Sequence, residues 1–316
     1  MHLRFAVAPV LLIGLGLSAC SGTATGDDTE TLTVVTSTSA YADIVSQVAG
    51  DAVQVDSIIN KPSQDPHSYE ATPQDKLTLS HADLVVENGG GYDAFIDPLT
   101  KDLGIKDEQI VTAVDYSETA HAAEHDTEAE ADPKDHDGHD HSSFNEHVWY
   151  DLPTASAVAM EVADRLGELK PEEAETFTAN AQEFDTKIDT LDQRLGKLST
   201  EAKGHQYAMT EPVPFYLLEQ AGLSDGTPAG FSGAIEEGND VSPLILNALD
   251  KKLSSGDIAL LAYNPQTSSP QTQSVRSQAE KAGVPVVEFS ETLPQDTDYL
   301  GWMSSNIDAI QKALKN

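Results

Sequence analysis

Between Pro171 and Gly204 the chain carries Phe177, Ala181, Phe184, Ile188, Leu191, Leu195 and Leu198, a series whose steps alternate between 4 and 3 residues. Such steps return a side chain to the same side of a helix at every turn. The positions between are mostly Glu, Asp, Lys, Gln and Thr, so one stripe faces protein and the rest faces water. Pro171 suits the first turn of this helix, and Gly204 suits its end. At 1.5 Å per residue, roughly 30 residues make a rod of about 45 Å, long enough to run down a whole domain. A flexible hinge would be rich in Gly, Ser and Pro. The segment 171–203 is therefore read as a rigid strut between two lobes, with one seam of a two-stranded coiled coil as the alternative.

The flanking sequence says what the strut joins. Upstream, short β-branched runs at Leu32 to Thr36, Val53 to Ile59, Asp83 to Glu87 and Ile110 to Val114 alternate with helical stretches. Tyr41, Ile44, Val45 and Val48 mark an amphipathic helix that stops at Gly50-Asp51. Downstream the pattern repeats, with strands at Gln206 to Met209, Ile258 to Tyr263 and Val284 to Phe289. Strands alternating with helices imply βα units and a mostly parallel sheet. The predicted fold is α/β, with an N-terminal lobe over 32–170 and a C-terminal lobe over 204–316, each a sheet flanked by helices. Hydrophobic residues make up 39% of the chain, enough to build such cores. Against 18 Lys and Arg stand 53 Asp and Glu, a net charge of −35 that excludes ordinary nucleic-acid binding.

The first 19 residues read as a signal peptide. Phe5 to Ala19 is apolar after Arg4, and it is too short for an ordinary membrane span. Leu17-Ser18-Ala19-Cys20 resembles a bacterial lipobox, which would cleave before Cys20 and attach lipid to its thiol. Ser21 to Glu30 has no large apolar side chain, so residues 20–31 are expected to be a solvated tether. The mature protein is then extracytoplasmic, anchored to the membrane through the lipid on Cys20 without spanning it. The alternative is a plain cleaved signal with a chance cysteine. Cys20 is the only cysteine, so any metal must be held by His and carboxylates.

Half of the ten histidines fall in one insert, 117–143: His121, His125, His136, His139 and His141, among nine acidic residues and nothing apolar larger than alanine. This composition cannot pack a core and should be disordered when empty. It is a weak, multi-site ligand set for divalent transition metals, or else a solvating linker. Two other histidines sit in distinctive settings. His67 lies in Asp65-Pro66-His67-Ser68-Tyr69-Glu70, a turn stiffened by Pro66. His147 lies in His147-Val148-Trp149-Tyr150-Asp151, ahead of a helix that Asp151 or Thr154 could cap. His81 and His205 are read as structural.

Together with Gly50-Asp51, Pro73 and Asp75, Thr210-Glu211, Phe215-Tyr216, Ala234-Ile235-Glu236-Glu237-Gly238, Asn264-Pro265 and Tyr299-Leu300, these motifs run in order from Leu32 to the C-terminus. In this the chain resembles the cluster A-I substrate-binding lipoproteins of bacterial zinc and manganese ABC transporters. The resemblance implies two α/β lobes joined by one long helix, and one metal ion bound between them. Carried over by motif, the ligands are His67, His147, Glu211 and Glu291. For the last, Glu288, Asp296 and Asp298 remain open. Glu146 stands where a proline commonly precedes the second histidine, and could compete as a ligand.

The expected function is that of an extracytoplasmic receptor that captures one divalent ion and hands it to a membrane permease. It needs no partner subunit, so a monomer is expected. Two His and two carboxylates suit manganese, while the His-rich insert points to zinc, which is favoured. A full set of four protein ligands argues against catalysis, since a catalytic zinc keeps one position open. The rivals are a metal-buffering surface lipoprotein or adhesin, and a secreted zinc hydrolase. The hydrolase lacks support, because there is no His-Glu-x-x-His and no Gly-x-Ser-x-Gly, and Asn88 to Gly91 is not a P-loop. Because ligating histidines must be neutral, affinity is expected to weaken as pH falls through about 6.5.

Overall fold

A computed structural model describes residues 31–61, 64–118 and 144–315. The signal segment, Cys20 with its tether to residue 30, and the five insert histidines lie outside the described residues.

The first sheet contains β1 (Leu32–Thr38), β2 (Val53–Ile59), β3 (Leu84–Glu87) and β4 (Ile110–Thr112), all parallel, in the order β2-β1-β3-β4. Its helices are α1 (Ser39–Ala49), α2 (Pro73–Leu79) and α3 (Ile96–Leu103). Alternate strand residues point to opposite faces, so both faces of this sheet are apolar. Val35, Ile59 and Val85 pack with Leu79, Phe95 and Ile96 on one side. Val34, Leu84, Val86 and Val111 pack on the other, with Tyr41, Ile44 and Val48 of α1. The last strand is shorter than its apolar run, because the chain turns into a 3-10 helix at Ala113–Tyr116.

A helix α4 (Leu152–Leu169) leads through a 3-10 turn, Pro171–Glu173, into the strut α5 (Ala174–Ala202). All seven stripe residues are buried. The strut lies against α1 and α4, and further along against α6 (Phe215–Gln220) and α10 (Tyr299–Ala313). Its stripe is therefore covered within one chain, which answers the coiled-coil alternative. One continuous apolar cluster runs from the first sheet through the strut to the second.

The second sheet repeats the topology of the first. It consists of β5 (Gln206–Met209), β6 (Ser224–Asp225), β7 (Ile258–Tyr263) and β8 (Val286–Glu288), parallel, in the order β6-β5-β7-β8. Its other helices are α7 (Phe231–Glu236), α8 (Pro243–Ser255) and α9 (Pro270–Ala282). Ala208 and Leu261 face a cluster with Phe231, Ile235, Leu249 and Val275, while Tyr207 and Leu260 face the strut side. The two-residue β6 was not foreseen, since Ser224-Asp225 carries no apolar side chain. In each sheet the order reverses beside the first strand, so β1 and β3, like β5 and β7, diverge at their C-terminal ends into opposite connections. Crevices at such switch points are where open α/β sheets bind ligands. Among the described residues no helix is long and apolar enough to cross a membrane.

Candidate metal centre

His67 is held by the turn that follows β2. The Asp65 carboxylate accepts from the backbone N–H of His67 at 3.0 Å and from the Ser68 hydroxyl at 2.8 Å. Further on, Thr72 and Asp75 cap α2 reciprocally, and the Tyr69 hydroxyl donates to Asp75 at 2.9 Å. These local bonds replace regular structure in fixing the loop. The His67 ring stands edge-on to Tyr92, with centroids 4.8 Å apart.

His147 is placed by the segment before α4. The Asn88 side chain donates to the Glu146 carbonyl at 2.8 Å, and Asn145 donates to the Pro212 carbonyl at 2.9 Å. The loop at Gly90 must be glycine, because a Cβ there would lie 2.6 Å from the Phe144 ring at a φ of +65°. Asn145 Oδ1 lies 2.7 Å from His147 Nδ1 and 3.0 Å from its backbone N–H. An amide oxygen is only an acceptor, so Nδ1 carries the proton and Nε2 presents a lone pair. His147 is 1% exposed and packs against Trp149 and Tyr92. Asp151 occupies the N-cap of α4, although its carboxylate accepts from the Thr154 hydroxyl, at 2.6 Å, rather than from a helix N–H.

The two Nε2 atoms lie 3.5 Å apart. Donors about 2.1 Å from a tetrahedral ion stand about 3.4 Å from each other, so the imidazoles have nearly the spacing of a shared ion. Glu291, just beyond β8, sets Oε2 4.0 Å from His67 Nε2 and 3.4 Å from the Tyr92 hydroxyl. Glu211, just beyond β5, is turned toward Asn264 and Thr267. The Asn264 amide donates to Glu211 Oε2 at 2.5 Å and to Glu291 Oε1 at 2.7 Å, while the Thr267 hydroxyl also donates to Glu211 Oε2. One buried amide thus braces both carboxylates. Of the four residues named from sequence, His67 stands directly beside both His147 and Glu291, and Glu211 joins Glu291 through Asn264. Glu288 instead pairs with Arg276 at 2.7 Å, and Asp298 caps α10, so neither turns into this cluster.

The sequence reading missed Glu236 as a candidate. Its Oε1 lies 3.8 Å from His147 Nε2 and 4.0 Å from His67 Nε2, which makes the tightest His and carboxylate cluster among the described residues. Glu236 and Glu237 are equivalent by type and setting, and only the last turn of α7 decides which one faces inward. Glu146 lies on the far side of the His67 ring, 3.8 Å from Nδ1.

Burial governs the charge state. It holds the His147 imidazolium well below its ordinary range, with the His67 charge adding to the effect, and it lowers His67 too, against the pull of Asp65. The carboxylates move the opposite way. Burial raises Glu211 to about 7, partly countered by its bonds from Thr267 and Asn264. Burial and then Glu211 raise Glu291 to about 8, and burial followed by Glu146, Glu211 and Glu291 raises Glu236 to about 9. Near neutral pH the centre holds neutral imidazoles and largely protonated acids, which a divalent cation would deprotonate. The expectation of a histidine-controlled threshold near 6.5 is therefore corrected: the carboxylates, not the histidines, carry the titration in the neutral range.

The family model for the zinc-uptake complex component A, periplasmic (ZnuA), matches residues 34–313. The chain is similar to the metal ABC transporter substrate-binding lipoprotein SloC of Streptococcus mutans serotype c, 27% identical over 320 residues that cover 96% of each chain. It is also similar to the manganese ABC transporter substrate-binding lipoprotein ScaA of Streptococcus gordonii, at 25% identity over 98% of each chain. Among solved structures, the periplasmic zinc-binding protein TroA of Treponema pallidum shares the fold with a TM-score of 0.68 at 22% identity, covering 90% of this chain and 99% of that one.

Proposed function

This chain belongs to the ZnuA family and is the substrate-binding component of a metal ABC transporter, and on that premise we propose that it captures one divalent transition metal ion at His67 and His147. Glu291 and Glu211 complete the set from the second half of the chain. The observation that carries this reading is the pair of buried imidazoles whose Nε2 atoms stand 3.5 Å apart, one of them locked by Asn145 in the tautomer that presents a lone pair. Glu211 and Glu291 stand just beyond β5 and β8, His67 lies in the turn after β2 and His147 just ahead of α4, and the strut packs between the two sheets. The ion is cargo, released to a permease. We propose anchorage on the extracytoplasmic face through lipid on Cys20, and action as a monomer.

Zinc is the favoured ion. The His-rich insert would concentrate it beside the centre, and affinity at a site of given ligands rises from manganese to zinc. Manganese is the second reading, supported by the excess of carboxylates over imidazoles around His67. A competitive titration of zinc against manganese, with the chain lacking 117–143, separates them. One tight equivalent that prefers zinc is expected. Tight manganese with weaker zinc would reverse the assignment, and no tight equivalent for either ion would end the receptor reading.

A further inference from the structure

We propose that Glu236 is itself a ligand of the captured ion and the residue that brings manganese within reach of this site. The inference rests on the receptor reading above and adds a group that the motif resemblance does not supply. Among the buried side-chain oxygens, Glu236 Oε1 has no hydrogen-bond donor among the described residues. Instead it faces the Nε2 atoms of His147, at 3.8 Å, and His67, at 4.0 Å. Glu211, by contrast, has Oε2 engaged by Asn264 and Thr267.

The backbone aims Glu236 inward. Ile235 is buried in the apolar cluster of the second sheet and anchors the last turn of α7. That turn is closed by the N–H groups of Glu237, Gly238 and Asn239, which donate to the carbonyls of Gly233, Ile235 and Ala234. Glu236 is 20% exposed, whereas Glu237 turns outward and accepts from the Asn239 amide. A carboxylate at a helix C-terminus meets the negative end of the helix dipole. It also faces other acids, and a buried charge needs a partner. A cation between Glu236 and the two Nε2 atoms supplies that partner.

Counting Glu236, the candidate ligands are two imidazoles and three carboxylates, with Glu236 and Glu291 beside His67 and Glu211 joined through Asn264. Zinc closes its shell with four ligands, while manganese prefers more oxygen donors. Loss of Glu236 should therefore cost manganese more than zinc.

The test titrates the full chain with Mn2+ and with Zn2+, in competition with a chelator strong enough to empty the insert, for wild type, Glu236→Gln, Glu236→Asp, Glu237→Gln and His67→Ala. Glu236→Gln should weaken manganese about tenfold or more and zinc by less, as expected for a lost ligand rather than a lost remote charge. Glu236→Asp keeps the charge but shortens the reach, and should follow Glu236→Gln. Glu237→Gln should match wild type. The inference is overturned if Glu236→Gln matches Glu237→Gln, if both ions weaken equally, or if Glu236→Asp binds like wild type. In each of those cases a loss of binding by His67→Ala leaves the receptor reading standing. Wild-type affinity in His67→Ala would remove the reading and this inference together.

Discussion

Replacing Asn145 with alanine tests how the centre selects the reactive nitrogen of His147. Asn145 touches no proposed ligand atom, yet its Oδ1 accepts from His147 Nδ1 at 2.7 Å and from the backbone N–H at 3.0 Å. Without it, the buried ring has no acceptor at Nδ1 and is free to carry its proton on Nε2, where the ion must bind. Loss of such an outer partner typically weakens metal affinity by about 10- to 100-fold. That is about 1.4–2.8 kcal/mol. The independent cost of leaving a buried donor unpaired, about 1–3 kcal/mol, covers the same range. Asn145→Asp retains both acceptor contacts and should bind about tenfold more tightly than Asn145→Ala. Competition titration of the purified proteins reads both constants, and circular dichroism confirms that Asn145→Ala is folded. A folded Asn145→Ala protein with wild-type affinity would refute the tautomer argument.

Affinity should climb as pH rises from 7 through 9, the range set by Glu211, Glu291 and Glu236 at about 7, 8 and 9; about two protons leave per ion bound at pH 7. Calorimetry in buffers of different ionisation enthalpy counts them, and zero released protons would contradict the assigned charge states. The same raised values stabilise the ion-free protein fully only below the unfolded value of about 4.5, and that contribution is lost as pH rises through 7 to 9, so its urea midpoint should fall over this window. In the strut, Leu195→Ala should lower stability by about 2–5 kcal/mol, because Leu195 is fully buried; urea unfolding with less than about 1 kcal/mol lost would deny the strut its role in the core. Deleting 117–143 should remove weak equivalents while leaving one tight equivalent in equilibrium dialysis, and loss of the tight one would place the centre in the insert.

The strut was the most legible element, because a stripe from Phe177 to Leu198 needs only helical periodicity and burial. The strands were legible where β-branched residues run together, as in Val53 to Ile59 and Ile258 to Tyr263. Ser224-Asp225 was not, since its pairing with Gln206 and Tyr207 is imposed by the sheet rather than by its own side chains. His67 and His147 could be named from their motifs, and the structure brings them together. The orientation of Glu211 toward Asn264, and the choice of Glu236 over Glu237, depend on loop and helix-end geometry that no local pattern encodes. The histidine pH threshold misled for a related reason. A sequence displays residue types, whereas the shifts here come from burial and from acids supplied by distant segments.

The central claim is that one ion sits between His67 and His147, and anomalous diffraction from crystals grown with zinc locates it directly. The account predicts one strong peak about 2.1 Å from Nε2 of both rings, with carboxylate oxygen from the second half of the chain in the same shell. A crystal with no peak there, or with zinc held only by other side chains, would contradict it.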